Sequence, residues 1–572
     1  MYFRKKQSQG RVYLQIVESE RQGAAVRQRV IATLGRFDEL EDSGQLRRLL
    51  KSGARFVEKA MVLEASRKGE AVTVAVRRIG PALLFERLWE ESECKRVLEE
   101  LAKKSGRSFA LERAVFLTAL HRLMRSGSDL SAERWKQDYR IEGTEGIALH
   151  HLYRTMAWLG EALPDAEQAG ATLVPRCRKD QIEERLFAER RDLFSRLDLV
   201  FMDTTSLYFE GNGGQTLGRY GYSKDYRPHL KQMILAVVID AEGRPLCTEM
   251  WPGNTADVTT LIPVIDRLGT RFAIERVCVV ADRGMISDET LAELDARGLF
   301  YILGVRERNN RIIRDLVLAD SAPCVPLTLK RRRKEINYSA KSVTAGSQRY
   351  IVCINHEEAD RDAASREAIL KSLRRELKKG TKALIGNTGY RRYLKTIAKD
   401  SLVIDEARVS EDAKLDGIFV LRTNTDLNPL QAMLRYKQLW TVEQTFRTTK
   451  HLFATRPIFH KCDETIRGHV FCSFLALVLK KALEDKIEAL GQDYSWPQVL
   501  ADLDALTETE IEHEGRRFLL RSTPRPAASF ALRAAGVALP PTGLHAGRSL
   551  ITRQAVVPRR SGGANCHVLS MV

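Results

Sequence analysis

Residues 199–210, LVFMDTTSLYFE, carry an acid, Asp203, directly after the apolar run Leu199-Val200-Phe201-Met202. Aromatic and β-branched residues in such a run favour a pleated, half-buried strand of about 12 residues. A second run, Val277-Cys278-Val279-Val280-Ala281, ends the same way, in Asp282. Between them, HLKQMILAVVID (229–240) reads as a strand that follows a Gly-rich connection, Gly211–Gly221. RPLCTEMW (244–251) reads as a shorter strand broken by Pro252-Gly253-Asn254, and Val258–Leu268 as a helix. After the second acid come a helix, SDETLAELDARG (287–298), and a strand, LFYILGV (299–305).

The order β-β-β-α-β-α-β predicts an α/β fold, an RNase H-like mixed sheet with helices on its faces. The two acids then fall on the first strand and at the end of the fourth. Past residue 306 the pattern breaks. Residues 307–416 hold short strands (RYIVCIN, SLVIDEA) and a charged helix, ASREAILKSLRRELKKG. A structureless loop of that length is improbable inside a core, so a β-rich inserted subdomain is expected. The core resumes with GIFVLRTN as a strand and Pro429–Phe453 as one long helix, whose stretch YKQLWTVEQTFRTTK (436–450) contains Glu443.

Working outward, the expected divisions are an N-terminal hairpin and helix (1–75), a helical region (76–194) that reads equally as a DNA-end binder or as a structural bundle, the core in two parts (195–306 and 417–490) around the insertion (307–416), a C-terminal helical region (491–539) and a disordered basic tail (540–572). The hairpin comes from RVYLQIVES and QRVIATLG around a turn near Gln22-Gly23, and Phe37–Ala65 reads as helix. Apolar spacing of three and four in PALLFERLWEESE, RAVFLTALHRLMRSG and LYRTMAWLGEAL predicts a helical bundle ahead of the core. No helix-turn-helix pattern stands out.

A chain of 572 residues exceeds a single core. It has no apolar stretch of roughly 18 residues, so a membrane span is not expected. The N-terminal MYFRKKQSQG lacks the apolar segment of a signal peptide, which points to a cytoplasmic, nucleoid-associated protein. Nine scattered cysteines without a C-x-x-C pair argue against a disulfide framework; His460, Cys462, His469 and Cys472 read better as parts of a buried helix than as a zinc site. The net charge of +18 suggests a polyanionic partner. Half of it lies between Arg306 and Asp416, with 25 basic and 16 acidic residues, including the run Lys330-Arg331-Arg332-Arg333-Lys334. Such a run is usually a solvated loop, but beside a DNA-processing core it is equally a candidate phosphate contact.

Asp203, Asp282 and Glu443 are the candidate catalytic and metal-ligating residues. Two Mg²⁺ ions roughly 3.5–4 Å apart can serve both ends of an in-line phosphodiester displacement. Mg²⁺ favours carboxylate and water ligands, so three acids suffice, with Asp203 as the bridge and Mn²⁺ able to substitute. Each acid alone has an ordinary reading. A strand-end Asp commonly caps a turn, as Asp240 is expected to do before Glu242-Gly243, and a helical Glu is commonly solvated. Asp257, Asp288 and Glu289 are read as bystanders, with Asp288 as a helix N-cap. On one straight helix Tyr436, Glu443 and Lys450, seven apart, would share a face, with Arg447 one turn past Glu443. These cations are candidate phosphate contacts, and Trp440 and Phe446 candidate stacking partners for an unpaired base unless they belong to the core.

These residues resemble the DDE transposases of bacterial insertion sequences, in the branch with a Tyr-Arg-Glu-Lys signature (the insertion-sequence family four type). Tyr436, Glu443 and Lys450 match that signature; Leu439 stands where its Arg would be, with Arg435 and Arg447 as nearby substitutes. Further familial stretches are MDTTSLYFEG, PGNTADVTTLIPVI, ADRGMIS and FRTTK, within about residues 195–460. The resemblance implies Mg²⁺-dependent cleavage at element ends and transfer of the 3′ hydroxyl into target DNA. It also implies double-stranded DNA partners (transposon ends and target) and a homodimer or larger synaptic complex. A nuclease without a transfer step and a transposase-derived DNA binder with lapsed catalysis are the remaining readings.

Overall fold

The N-terminal stretch alternates apolar and polar residues and folds as three antiparallel strands, β1 (Tyr2–Ser8), β2 (Arg11–Gln22) and β3 (Ala25–Arg36). The expected hairpin is present as β2–β3, and β1 adds an edge strand. The computed structural model describes residues 2–8, 10–22, 25–46, 48–49, 72–103, 105–168, 174–190, 199–272, 274, 278–305, 313–331, 334–378, 392–398, 401–491, 494–513 and 516–545. Of the helix expected over Phe37–Ala65, α1 (Phe37–Asp42) is seen, while residues 50–71 lie outside the described ones. The chain divides into two units, Met1–Pro81 with Asp138–Arg140 and Tyr494–Val572, and Ala82–Gln137 with Ile141–Asp493.

In the first unit, β4 (Val72–Arg78) pairs with β16 (Thr507–His513), which continues through β17 (Arg516–Arg521) to β18 (Gly543–His545). The stretch read as a C-terminal helical region therefore contains two strands besides its helices, α15 (Trp496–Asp504) and α16 (Pro526–Ala534). The Thr507, Thr509, Ile511 alternation is a strand signal too short to stand out beside two helices. Residues 543–545 of the expected tail are a strand; residues 546–572 lie outside the described ones.

The second unit opens with six helices, α2 (Gly80–Glu91), α3 (Cys94–Lys103), α4 (Leu111–Met124), α5 (Asp129–Trp135), α6 (Leu149–Leu159) and α7 (Arg178–Glu189). α4 and α6 pack against the long α14 (Asp463–Ala489). α4 is buried almost all round. Its Arg122 is fully buried and donates to Ser473 Oγ at 2.6 Å, with His469 Nδ1 2.9 Å from its other terminal nitrogen. His469 and Cys472 are thus interior parts of a helix packing.

The main sheet has nine strands in the order β10-β11-β12-β15-β9-β8-β5-β6-β7. Its core is β5 (Leu199–Tyr208), β6 (Gln232–Asp240), β7 (Pro245–Pro252), β8 (Cys278–Ala281) and β9 (Phe300–Val305). β5 runs antiparallel to β6 and parallel to β8, and β8 runs parallel to β9. The expected strand and helix order over residues 199–305 is present, with α8 (Leu261–Phe272) and α9 (Asp288–Ala296) as its helices. Successive side chains alternate between two apolar cores. Val200, Met202, Val279 and Ala281 face α8 and α9, while Leu199, Phe201, Cys278 and Val280 face the opposite core. The α7–α8 side is braced by buried charges: Arg267 meets Glu249 at 2.7 Å and Asp180 at 2.8 Å, and Lys179 meets Asp180 at 2.6 Å. Such charges are tolerated because each is paired.

The insertion is joined to this sheet. β10 (Val325–Arg331), β11 (Lys334–Ala345) and β12 (Gln348–Asn355) extend it through β15 (Ile418–Thr423), which pairs with both β12 and β9. Its other parts are α10 (His356–Leu377), the hairpin β13 (Leu394–Ala398) and β14 (Ser401–Ile404), and α11 (Glu406–Ala413). The single helix expected over Pro429–Phe453 is instead α12 (Pro429–Lys437), α13 (Leu439–Arg447) and a π turn, Thr448–Leu452. The joint is Gln438, whose N–H is shared between the Leu434 and Arg435 carbonyls at 3.2 and 3.1 Å. Its own carbonyl accepts from Thr441 N–H at 2.8 Å, a tightened i→i+3 turn. Rewound in this way, Leu439, Val442 and Phe446 all pack on the sheet core. Tyr436, Glu443 and Lys450 consequently sit on three successive elements rather than along one straight helix.

Candidate active site

Parallel pairing of β5 with β8 sets Met202 opposite Ala281, so Asp203 and Asp282 follow side by side. By alternation both belong to the face that carries Phe201 and Val280, the face on which Val442 and Phe446 of α13 are packed. The first two acids and the helix bearing the third therefore share one side of the sheet.

Asp203 is half-buried and accepts from Thr204 N–H at 2.7 Å. Burial pushes its carboxyl up to about 6, and repulsion from Asp282 and Asp257 adds to the rise, while Lys224 and the Thr204 N–H oppose it. Asp282 is exposed and accepts from Tyr436 Oη at 3.1 Å. That contact depends on Gly304 in β9. A Cβ there would stand 2.3 Å from Tyr436 Oη, so only glycine lets the phenol pass. Tyr436 is further lined by Phe419, its ring centroid 6.2 Å away and nearly parallel.

Asp257, read from sequence as a bystander, is part of this cluster. It accepts from Thr204 Oγ1 at 2.8 Å and pairs with Lys224 Nζ at 2.9 Å. Lys224 also donates to the Thr204 carbonyl at 2.7 Å. Sequence reasoning missed Lys224 and Gly304; the SKD stretch after the Gly-rich connection was the available signal for the first, and nothing marked the second. Asp288 is not a cap: Ser287 takes that role, accepting from Thr290 N–H at 3.1 Å. Asp240 does cap its turn, accepting from the Glu242 and Arg244 N–H groups at 3.0 and 2.7 Å.

Glu443 is exposed on α13, between the buried Val442 and the buried Phe446 further along, and has no hydrogen-bond partner among the described residues. α13 packs against β5. Among the described residues no three His, Cys, Asp or Glu side chains converge closely enough to hold a metal ion. Asp203 and Asp282 are thus brought together, and Glu443 is carried to the same side without closing on them.

Of the other candidates, Trp440 is 47% exposed and Phe446 only 6%, so Phe446 is a core residue and Trp440 a surface one. Arg447 is exposed. Lys450 is nearly buried and pairs with Asp225 at 2.9 Å, which Arg456 also meets at 3.2 Å; burial lowers the Lys450 ammonium. Leu439 packs against the sheet core, which is why an apolar residue suits that position. In the basic run, Lys330 and Arg331 end β10 and Lys334 begins β11, opposite Arg331; Arg332 and Arg333 lie outside the described residues. Among the described residues no helix is long and apolar enough to cross a membrane.

Asp203 within β5 and Asp282 just past the parallel β8 thus lie side by side on the sheet face covered by the helix that bears Glu443. The transposase DDE domain model matches residues 195–479, and the IS1634 family transposase N-terminal domain model matches residues 3–66. The chain belongs to the DDE transposases of insertion sequences, a class of polynucleotidyl transferases. No curated protein matches it. Among solved structures, a cryo-EM piggyBac transposase synaptic complex with hairpin DNA is similar at 11% identity and a TM-score of 0.33, over 74% of this chain and 79% of that one. A Mos1 transposase paired-end complex with the left transposon end is similar at 12% identity and a TM-score of 0.13, over 34% of this chain and 60% of that one.

Proposed function

We propose that the protein binds the ends of its element, cleaves the phosphodiester there and joins the freed 3′ hydroxyl to target DNA at a site built on Asp203, Asp282 and Glu443. The observation that carries this reading is the side-by-side placement of Asp203 and Asp282 on the face covered by the Glu443 helix. The donor set suits a hard divalent cation, since all three groups are carboxylates, and Asp203, its carboxyl raised by burial and then by repulsion from Asp282 and Asp257, has charge for a cation to offset. Mg²⁺, or Mn²⁺ in its place, would supply charge neutralisation and activation of the attacking oxygen when held by these three residues. Tyr436 fixes Asp282 through its hydroxyl, and Lys224 holds Asp257 and the backbone of Thr204 beside Asp203. Glu443 completes the set by closing from α13 when DNA is bound. Trp440 and Arg447 face the DNA, the basic run of residues 330–334 is assigned to phosphate contact by its charge alone, and Lys450 orders the segment around Asp225. Two copies or more, each gripping one end, form the synaptic complex.

The test is a joining assay with Mg²⁺ and DNA bearing the inverted repeats that flank the gene. Glu443→Ala is expected to abolish joining while sparing end binding. Unimpaired joining by that variant overturns the site assignment, and cleavage without joining by the unaltered protein reduces the activity to that of a nuclease.

A further inference from the structure

The connection between β5 and β6 carries three tyrosines, Tyr220, Tyr222 and Tyr226, that are 63%, 81% and 93% exposed. These are among the most exposed large apolar side chains of the described residues, and none has a partner there. Rings left in water forfeit the burial energy that an aromatic side chain normally gains, so a loop that displays three of them needs another reason.

Slackness is not that reason, because the loop is bolted down at several points. Arg219 and Gln232 exchange backbone hydrogen bonds at 3.1 and 2.9 Å, and the Gln232 amide donates to the Gly221 carbonyl at 2.6 Å. Gly221 lies so close to the next segment that a Cβ would stand 1.9 Å from the Gly253 carbonyl oxygen. Lys224 N–H donates to Ser206 Oγ at 2.9 Å, and its ammonium reaches Thr204, next to Asp203. Tyr226 is held at φ +57°, a left-handed conformation that costs a non-glycine residue on the order of 1 kcal/mol. Strain of this kind persists where the surroundings enforce it, typically at functional sites. The stretch 219–231, RYGYSKDYRPHLK, has four basic residues to one acid, and that acid, Asp225, is neutralised by Lys450 and Arg456.

We infer that Tyr222 and Tyr226, with Tyr220, form a stacking platform for unpaired nucleotides next to the scissile phosphodiester. Exposed aromatic faces combined with cations are the physical requirements for gripping a single strand. Lys224 ties the platform to the backbone beside Asp203, so bases stacked there lie at the edge of the cleavage site. The inference rests on the catalytic reading of Asp203, but its test needs neither metal nor cleavage.

The experiment titrates the full-length protein with fluorescent dT20, and with a duplex of the same length, in EDTA. Tyr222→Ala/Tyr226→Ala is expected to weaken dT20 binding by roughly ten-fold or more and to leave duplex binding within about two-fold. Tyr222→Phe/Tyr226→Phe keeps both rings and should bind dT20 as the unaltered protein does. Unchanged dT20 affinity in the alanine variant, equal losses in the alanine and phenylalanine variants, or no dT20 binding by the unaltered protein would each overturn the platform. A failure of the joining assay would instead count against the catalytic assignment, and the dT20 titration would stand.

Discussion

Gly304→Ala tests how Asp282 is held. The added Cβ would lie 2.3 Å from Tyr436 Oη, 3.1 Å from its Cζ and 3.3 Å from its Cε2. Carbon contacts settle at about 3.5–4 Å, so the phenol must retreat by about 1 Å. The 3.1 Å hydrogen bond to Asp282 then opens to about 4 Å and is lost. Overpacking costs about 1–3 kcal/mol. The lost bond adds about 1 kcal/mol, since water can replace it at the exposed Asp282. The expected destabilisation is therefore about 2–4 kcal/mol by urea unfolding, with slower DNA joining. In a Tyr436→Phe background the clashing hydroxyl is gone, and the same substitution should cost only about 1 kcal/mol, giving a coupling of about 1–3 kcal/mol. Without the clash, alanine in a strand would be favoured over glycine by about 0.5–1 kcal/mol. A Gly304→Ala protein as stable as the parent, or additive effects in the double variant, refutes the reasoning.

Asp203 holds its proton up to about pH 6 in the fold against an ordinary value of 3.8. Its contribution to stability is full below about pH 4 and is lost as pH rises through 6, by at most about 3 kcal/mol. Without divalent cations, Asp203→Asn should therefore gain on the unaltered protein between pH 4 and pH 7 in urea titrations; a pH-independent difference would count against the buried-charge account. Phe446→Ala should cost about 3–5 kcal/mol by emptying a core position, whereas Trp440→Ala should cost under about 1 kcal/mol and act on DNA binding instead; equal losses would show that both rings are structural.

Much of the architecture could be read along the chain. The runs before Asp203 and Asp282 have the length and composition of buried strands, and their alternation with helical segments orders the core without any tertiary knowledge. The turn role of Asp240 was legible because it rests on residues two to four positions away. Contacts between distant segments were not. Nothing local says that Asp257 sits 2.8 Å from Thr204 Oγ1, or that Gly304 must stay small for Tyr436. The heptad spacing of Tyr436, Glu443 and Lys450 looked like one helix face because spacing assumes a straight helix. Packing of Leu439, Val442 and Phe446 onto the sheet rewound the chain at Gln438 instead.

The sequence by itself determined the periodicities, and hence the strands and helices of residues 199–305 and the nomination of three acids, since these depend on neighbours within a few residues. Only the tertiary structure decided the register of β5 against β8, the joining of the insertion strands to the core sheet, and the company Asp203 keeps. Those are set by which distant surfaces exclude water together and which charges are left facing one another.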